Sequence, residues 1–305
     1  MTHPYATEAY ARGLAHAGAA IWAPEWGCHV LTRPIPGVDL LDAAGAYPLA
    51  VLTPDADIAG GLAGLAAAGL VSVVLVVDDR LRPALESLES AFGMVRRFKS
   101  HFVYDRALGP QAYDKHHRYE IRRAAGRVEA REIALAEHLP AWEELYGELS
   151  ARHGLGGLHA FPAAHHQALA GMPGLRTFGA FLDEKLVSAH LFVTHQGYAV
   201  SHLAASSREG YRSGAAYAVN ALAIDALTDC DAINFGGAAG AGDDPTDGLM
   251  RFKKGFSNRI AASWLCGAVL DAAAYRALSA GAEDNGFFPA YRGGREVERS
   301  DEHQG

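Results

Sequence analysis

Lys253 follows Phe252 and stands two residues before Gly255, in the run Asp247-Gly248-Leu249-Met250-Arg251-Phe252-Lys253-Lys254-Gly255-Phe256. A fixed ammonium stabilises the charge that forms on a carbonyl oxygen when a nucleophile attacks an ester or thioester. An aromatic ring beside it can stack on a base or cover an acyl group. A second stretch, Ser206 to Ala216, is a strand-to-helix turn ending in Ser213-Gly214-Ala215-Ala216. Backbone N–H groups at such a helix start cradle an anion, so an anionic donor is expected along Arg208, Tyr211, Arg212, Ser213, Gly214, Ala215 and Ala216, a plain capped helix being the other reading of Ser213-Gly214. His202 is the third candidate. Period-two alternation puts Tyr198, Val200, His202 and Ala204 on one strand face, where an imidazole could take the proton of an attacking amine. Gly236 and Gly237, after a short strand, together with Asp247 are expected to receive a cationic amine acceptor.

Other patterns are excluded. A calcium loop beginning at Asp243 needs glutamate at its twelfth place, which is Lys254, so Asp243, Asp244 and Asp247 are not read as a metal site. The pairs His116-His117 and His165-His166 are adjacent, a poor spacing for ligands on a helix. Cys28, Cys230 and Cys266 are far apart and form no C-x-x-C pair, which points to reduced, buried thiols. There is no G-x-x-x-x-G-K-[ST] run for a nucleotide. No metal and no permanently bound cofactor is expected.

The chain has 305 residues and a formal charge of −8, which argues against a protein that coats DNA. The charge is uneven. From Val95 to Arg131 there are ten Lys or Arg against four Asp or Glu, and at helical pitch Lys115, Arg118 and Arg122 share one face. That face could meet phosphates, or it could be a solvated surface. Ile58 to Val77 carries no charge and has the length of a membrane span. Its first half is interrupted by Gly60, Gly61, Gly64 and Gly69 and its second half is β-branched, which fits a helix followed by a buried strand. The opening residues lack the charged and apolar regions of a signal peptide, and a cytoplasmic protein without membrane insertion is expected.

The elements that must hold these residues follow from composition and period. Helices are expected over Thr7–Ile21, from Asp57 to Gly69, over Leu81–Phe92, from Lys115, over Glu137–Arg152, Phe161–Ala170 and Gly214–Leu227. Strands are expected at Cys28–Arg33, Tyr47–Thr53, Leu70–Val77, Met94–Tyr104, Val128–Ile133, Tyr198–Ala205, Ala232–Phe235 and Trp264–Leu270, with a hairpin of Arg176–Leu182 and Leu186–Thr194. This divides the chain into an α/β unit over 1–110, a second unit over 111–294 and a disordered tail over 295–305.

Ile233-Asn234-Phe235-Gly236-Gly237, an acidic glycine loop, and then F-K-x-G-F resemble the pattern of the FemAB-like branch of the GNAT acyltransferase superfamily. His202-Leu203-Ala204-Ala205-Ser206, Gly214-Ala215-Ala216-Tyr217 and Arg118-Tyr119-Glu120-Ile121-Arg122-Arg123 resemble the same branch, over roughly Asp114 to Leu270. Tyr211 departs from the Q/R-x-x-G-x-G/A turn with which GNAT enzymes hold coenzyme A. The resemblance implies an α/β, GNAT-like fold of two tandem GNAT-related units, with a mixed, mainly antiparallel sheet in the C-terminal one. It also implies transfer of an aminoacyl group from aminoacyl-tRNA, or of an acyl group from acyl-CoA, to an amine of a small molecule or peptide. Phe252 and Lys253 would then lie by the acyl-bearing end of the donor. A non-catalytic module that docks a nucleotide, the acceptor end of tRNA or a peptide is the competing class.

Overall fold

A computed structural model describes residues 2–156, 160–237, 248–283 and 285–293. In chain order the first elements are α1 (Glu8–Gly13), β1 (Ala19–Ala23), β2 (Cys28–Pro34), β3 (Leu41–Gly45), α2 (Ile58–Ala67), β4 (Leu70–Asp78), α3 (Leu85–Ala91) and β5 (Met94–Asp105). Next come α4 (Lys115–Ala125), β6 (Glu129–Ile133), α5 (Leu139–His153), α6 (Ala163–Ala170), β7 (Leu175–Leu182), β8 (Lys185–His195) and β9 (Tyr198–Ser206). The last are α7 (Arg208–Ser213), α8 (Ala215–Ala226), β10 (Ala232–Asn234), α9 (Gly248–Gly255), β11 (Arg259–Val269) and α10 (Ala272–Leu278).

Two compact units result, one of Met1–Phe98 with Ser263–Gly305, the other of Lys99–Ala262. The boundary expected near residue 110 therefore falls inside β5, and the chain returns to the first unit instead of ending in the second. A buried carboxylate shows how the return is held. Asp42 on β3 accepts from Arg33 Nε at 2.9 Å, Arg292 Nε at 2.6 Å and Tyr291 OH at 3.0 Å.

In the first unit the strand order is β1-β2-β3-β4-β11. All neighbours are antiparallel except the parallel β3/β4 pair. The Asp57 carboxylate accepts the Gly60 N–H at 2.9 Å and caps α2. Gly69, at φ +78°, ends the helical stretch, and the apolar run of β4 follows. The charge-free stretch is thus a helix and a strand. Among the described residues no helix is long and apolar enough to cross a membrane. Two expectations fail here. Thr7–Ile21 is not one helix: α1 stops at Gly13 and β1 begins at Ala19, because Gly18 passes so close to β2 that a Cβ would lie 2.5 Å from the Thr32 carbonyl oxygen. Tyr47–Thr53 is not a strand. β3 takes the place beside β4, Pro48 offers no donor, and only a local bond, Ala50 N–H to Val76 O at 2.8 Å, joins this stretch to β4.

The second unit has the order β5-β10-β9-β8-β7-β6, mixed and mainly antiparallel, with β10/β9 the parallel pair. Asp183 and Glu184, at φ 47° and 63°, close the β7–β8 hairpin with a two-residue turn whose twist suits antiparallel strands. Its core is built from Phe178, Phe192, Val219, Ala223, Ile233, Phe235 and Phe256, packed between the sheet and α8. Each such large side chain contributes about 1.5–3 kcal/mol on burial.

Candidate functional site

β9 and β10 run side by side for only three residue pairs, the last being Val200 with Asn234. Past that point the β10 segment turns to β5: the Phe235 N–H bonds Phe102 O at 2.8 Å and the Phe102 N–H bonds Gly236 O at 3.1 Å. The second half of β9 pairs with β8 alone, so neighbouring strands diverge and a wedge opens between Ser201 and Gly236-Gly237. Asn234 fixes the exit of β10 by accepting the Gly236 N–H on Oδ1 at 2.7 Å.

Lys253 reaches this exit. Its ammonium donates to Gly237 O at 2.6 Å, and a Cβ on Gly236 would stand 3.5 Å from Nζ. Lys253, Gly236 and Gly237 therefore come together as expected from sequence, with Lys253 on the helix α9. Phe252 meets Tyr217 of α8 edge-on at 4.9 Å and Phe256 at 5.1 Å. Gly255 has a steric reason. His117 of α4 lies against it, so near that a Cβ would be 2.0 Å from the imidazole. The ring is held there by Phe252 O, 3.0 Å from Nε2, and by Asp114 Oδ1, 3.2 Å from Nδ1. The motif thus docks α9 against the start of α4 and the first turn of α8.

The expected donor turn is divided in two. Arg208 to Ser213 is itself a helix, α7, capped by Ser207. Gly214, at φ +76°, ends α7 and starts α8. Arg208, Tyr211 and Arg212 are exposed, with the Arg152 guanidinium 4.6 Å over the Tyr211 ring. Gly214 and Ala215 are buried, and Ala216 is half-buried. The ion pair of Glu120 and Arg123, 2.5 Å apart, covers this helix start: a Cβ on Gly214 would lie 3.2 Å from Arg123 Nη2 and 3.5 Å from Glu120 Oε2. Ser213 and Gly214 are therefore separated from the exposed arginines by packing. On the outer face of α4, Lys115, Arg118 and Arg122 are all exposed. Asp247, with Asp243 and Asp244, lies outside the described residues.

His202 is only 4 % exposed. Two residues of β9, Ser201 and His202, fall where β8 offers Phe192 alone, so His202 sits in a β-bulge that breaks the alternation. Ala204 then pairs opposite His190, which faces α8, and it does not share the face of His202. The His202 ring lies 5.9 Å from that of His165 on α6, and His165 stacks on Phe161 at 4.4 Å. Burial, then the neighbouring His165 and His166, hold His202 well below the usual imidazole range. It is a neutral ring between the sheet and α6. Among the described residues no group of His, Cys, Asp and Glu is placed to hold a metal ion.

Three residues not singled out from the sequence stand closer to the wedge. His190 on β8 has Nδ1 2.6 Å from Asn220 Oδ1 and Nε2 2.7 Å from Ser201 Oγ. Burial pushes His190 down to about 3, Asn220 works against that shift, and the nearby Lys253 charge adds to it. The hairpin register carried a signal: Phe192 pairs with Ser201, so His190, two residues on, is a diagonal neighbour on the same face. Asn220 comes from α8, and no local pattern announces it.

No protein-family model matches the chain, and no curated protein sequence does. Solved structures do. A structure of FemX aligns with 90% of this chain and 95% of its own at a TM-score of 0.63 and 12% identity. The C-terminal domain of a putative lysylphosphatidylglycerol synthetase from Agrobacterium fabrum aligns with 88% of this chain and 91% of its own, at 0.60 and 14%. L-PGS from Bacillus licheniformis aligns over 88% and 94%, at 0.56 and 11%. The chain has the fold of these structures.

Proposed function

We propose that the protein is a transferase that moves an aminoacyl group from aminoacyl-tRNA to a primary amine of a small molecule or peptide, forming an amide. The observation that carries this reading is the wedge between β9 and β10, with the Lys253 ammonium fixed at its glycine edge. A carbonyl bound there would turn tetrahedral beside a cation that needs no reorganisation. The surroundings support this donor class. The start of α8, where a pyrophosphate would dock, is covered by Glu120 and Arg123. By contrast α4, whose His117 touches Phe252 O, turns Lys115, Arg118 and Arg122 outward, a surface suited to the phosphates of a tRNA acceptor end. On this reading the protein is cytoplasmic and holds no permanently bound cofactor, the donor being a co-substrate. His202, packed against His165 beneath α6, shapes the sheet under the site and does not carry the proton.

The test supplies purified protein with aminoacyl-tRNA, and separately with acetyl-CoA, against a panel of amines. Because neighbours are named lysylphosphatidylglycerol synthetase, the panel also includes phosphatidylglycerol. Products are read by mass spectrometry. Lys253→Ala should lower turnover by about 10²-fold or more with the fold kept. Full turnover in that variant would remove the role given to Lys253. Consumption of acetyl-CoA alone would reassign the donor, and donor binding without product would make the protein a docking module.

A further inference from the structure

On the α8 side of the hairpin, Asn220, His190 and Ser201 form a hydrogen-bonded line. Asn220 Oδ1 can only accept, so at 2.6 Å it requires the ring proton on His190 Nδ1. Nε2 then presents a lone pair, and the Ser201 hydroxyl, 2.7 Å away, donates to it. His190 and Asn220 are buried while Ser201 is half-buried, so the exposed end of the line is the hydroxyl. Ser201 is also the first residue of β9 beyond its last pair with β10 and adjoins the bulge at His202. The hydroxyl thus belongs to the residue at which the two strands separate. A nucleophile, a base within hydrogen-bond reach and a third group that orients the base are the parts of an acyl-transfer site.

We propose that Ser201 is an activated nucleophile, with His190 as its general base and Asn220 as the orienting group, and that it takes an acyl group from an ester or thioester. Ser201 Oγ forms a bond to the carbonyl carbon as its proton passes to His190 Nε2. The carbon–oxygen or carbon–sulfur bond to the donor breaks, and the leaving group takes that proton. In the second half an amine attacks the seryl ester, the carbon–nitrogen bond forms, and Ser201 leaves and recovers a proton through His190. Lys253, fixed at the glycine exit of β10, would meet the oxyanion of both halves. Only the second half rests on the proposed function; the activated serine does not.

Full-length protein is incubated at pH 7.5 with a fluorophosphonate and, separately, with p-nitrophenyl acetate, followed by intact-mass measurement and peptide mapping. Ser201 Oγ would displace fluoride from phosphorus, its proton leaving through His190. We expect a single adduct on Ser201, absent in Ser201→Ala, and a rate lowered about 10²-fold in His190→Gln. Circular dichroism checks that each variant is folded. The proposal is overturned if folded wild-type protein gains no adduct at Ser201, or if folded His190→Gln forms it at the wild-type rate. An adduct together with no transfer to any amine would leave the nucleophile standing and remove the transferase reading.

Discussion

Acidification should weaken the second unit well before its carboxylates are protonated, because burial holds His166, His190 and His202 as neutral rings. His190 titrates near 3 when folded and near 6.5 when unfolded. Its folded value is depressed, so the unfolded chain binds the proton first and stability falls as pH drops from about 6.5 towards 3. At pH 5 the unfolded ring is 1.5 units below its midpoint and almost fully charged, while the folded ring is neutral. That difference is about 1.36 × 1.5, or roughly 2 kcal/mol from this one residue. The figure is insensitive to how low the folded value lies, since any value below about 4 leaves the ring neutral at pH 5. His202 and His166 are lowered chiefly by burial as well, and each pushes in the same direction.

The assay is urea unfolding at constant ionic strength between pH 7.5 and 5. Pulsed hydrogen exchange of the β8 and β9 peptides confines the reading to the second unit. Wild-type protein should lose at least about 2 kcal/mol across that range. His190→Gln should show a shallower slope by close to one proton, whatever its absolute stability. A wild-type stability that stays flat down to pH 5, or an unchanged slope in His190→Gln, would refute the burial argument.

Gly255→Ala would drive a methyl group to 2.0 Å from a His117 ring packed against Phe252 and Phe256. A loss of about 1–3 kcal/mol is expected in chemical denaturation, and an unchanged midpoint would show that His117 moves freely. Replacing Lys115, Arg118 and Arg122 together by alanine should leave the melting temperature within about 2 °C of wild type, since such exposed changes cost little. The same variant should flatten the salt dependence of aminoacyl-tRNA binding, by a slope of up to about 2 for three lost contacts; an unaltered slope would move the tRNA elsewhere. Asp42→Asn removes the charge that two arginines and Tyr291 share and should cost about 3–5 kcal/mol in the first unit. Exchange protection of β3 would report it, and unchanged protection would mean that the cluster is not needed for the fold.

Much of the second unit was legible because its signals are local. The hairpin of Arg176–Leu182 and Leu186–Thr194 and the helix over Gly214–Leu227 need no tertiary knowledge. The first unit was less so. The order of its strands depends on β3 and β4 meeting in parallel, and the apolar, proline-containing stretch after Gly45 imitates a strand that β3 displaces. α1 was overextended because Ala15 to Ile21 is helix-forming in composition, while the close approach of Gly18 to β2 is a property of the sheet. The return of the chain to Asp42 is a contact across 250 residues of sequence, and no pattern near Arg292 announces it.

The site divides along the same line. The F-K-x-G-F run was found because its residue types are unusual together, and its glycine turns out to have a packing cause in His117. That does not reduce the run to packing. A lysine whose only duty was to pair with a carbonyl would gain nothing from the edge of a wedge between strands, and α9 could be docked by its two phenylalanines alone. His202 was chosen by parity, which holds from Tyr198 to His202 and fails at Ala204, because the bulge inserts one residue into β9. His202 lies beneath α6, and the insertion after Ser201 brings Ala204 opposite His190 instead of Leu203. Bulges gather beside functional sites because they re-aim side chains. In this chain the side chain re-aimed is that of Ala204, and the histidine one strand over keeps its partners on both ring nitrogens. A base has to be judged by what its two nitrogens face, and His190 has a carbonyl oxygen on one side and a half-buried hydroxyl on the other.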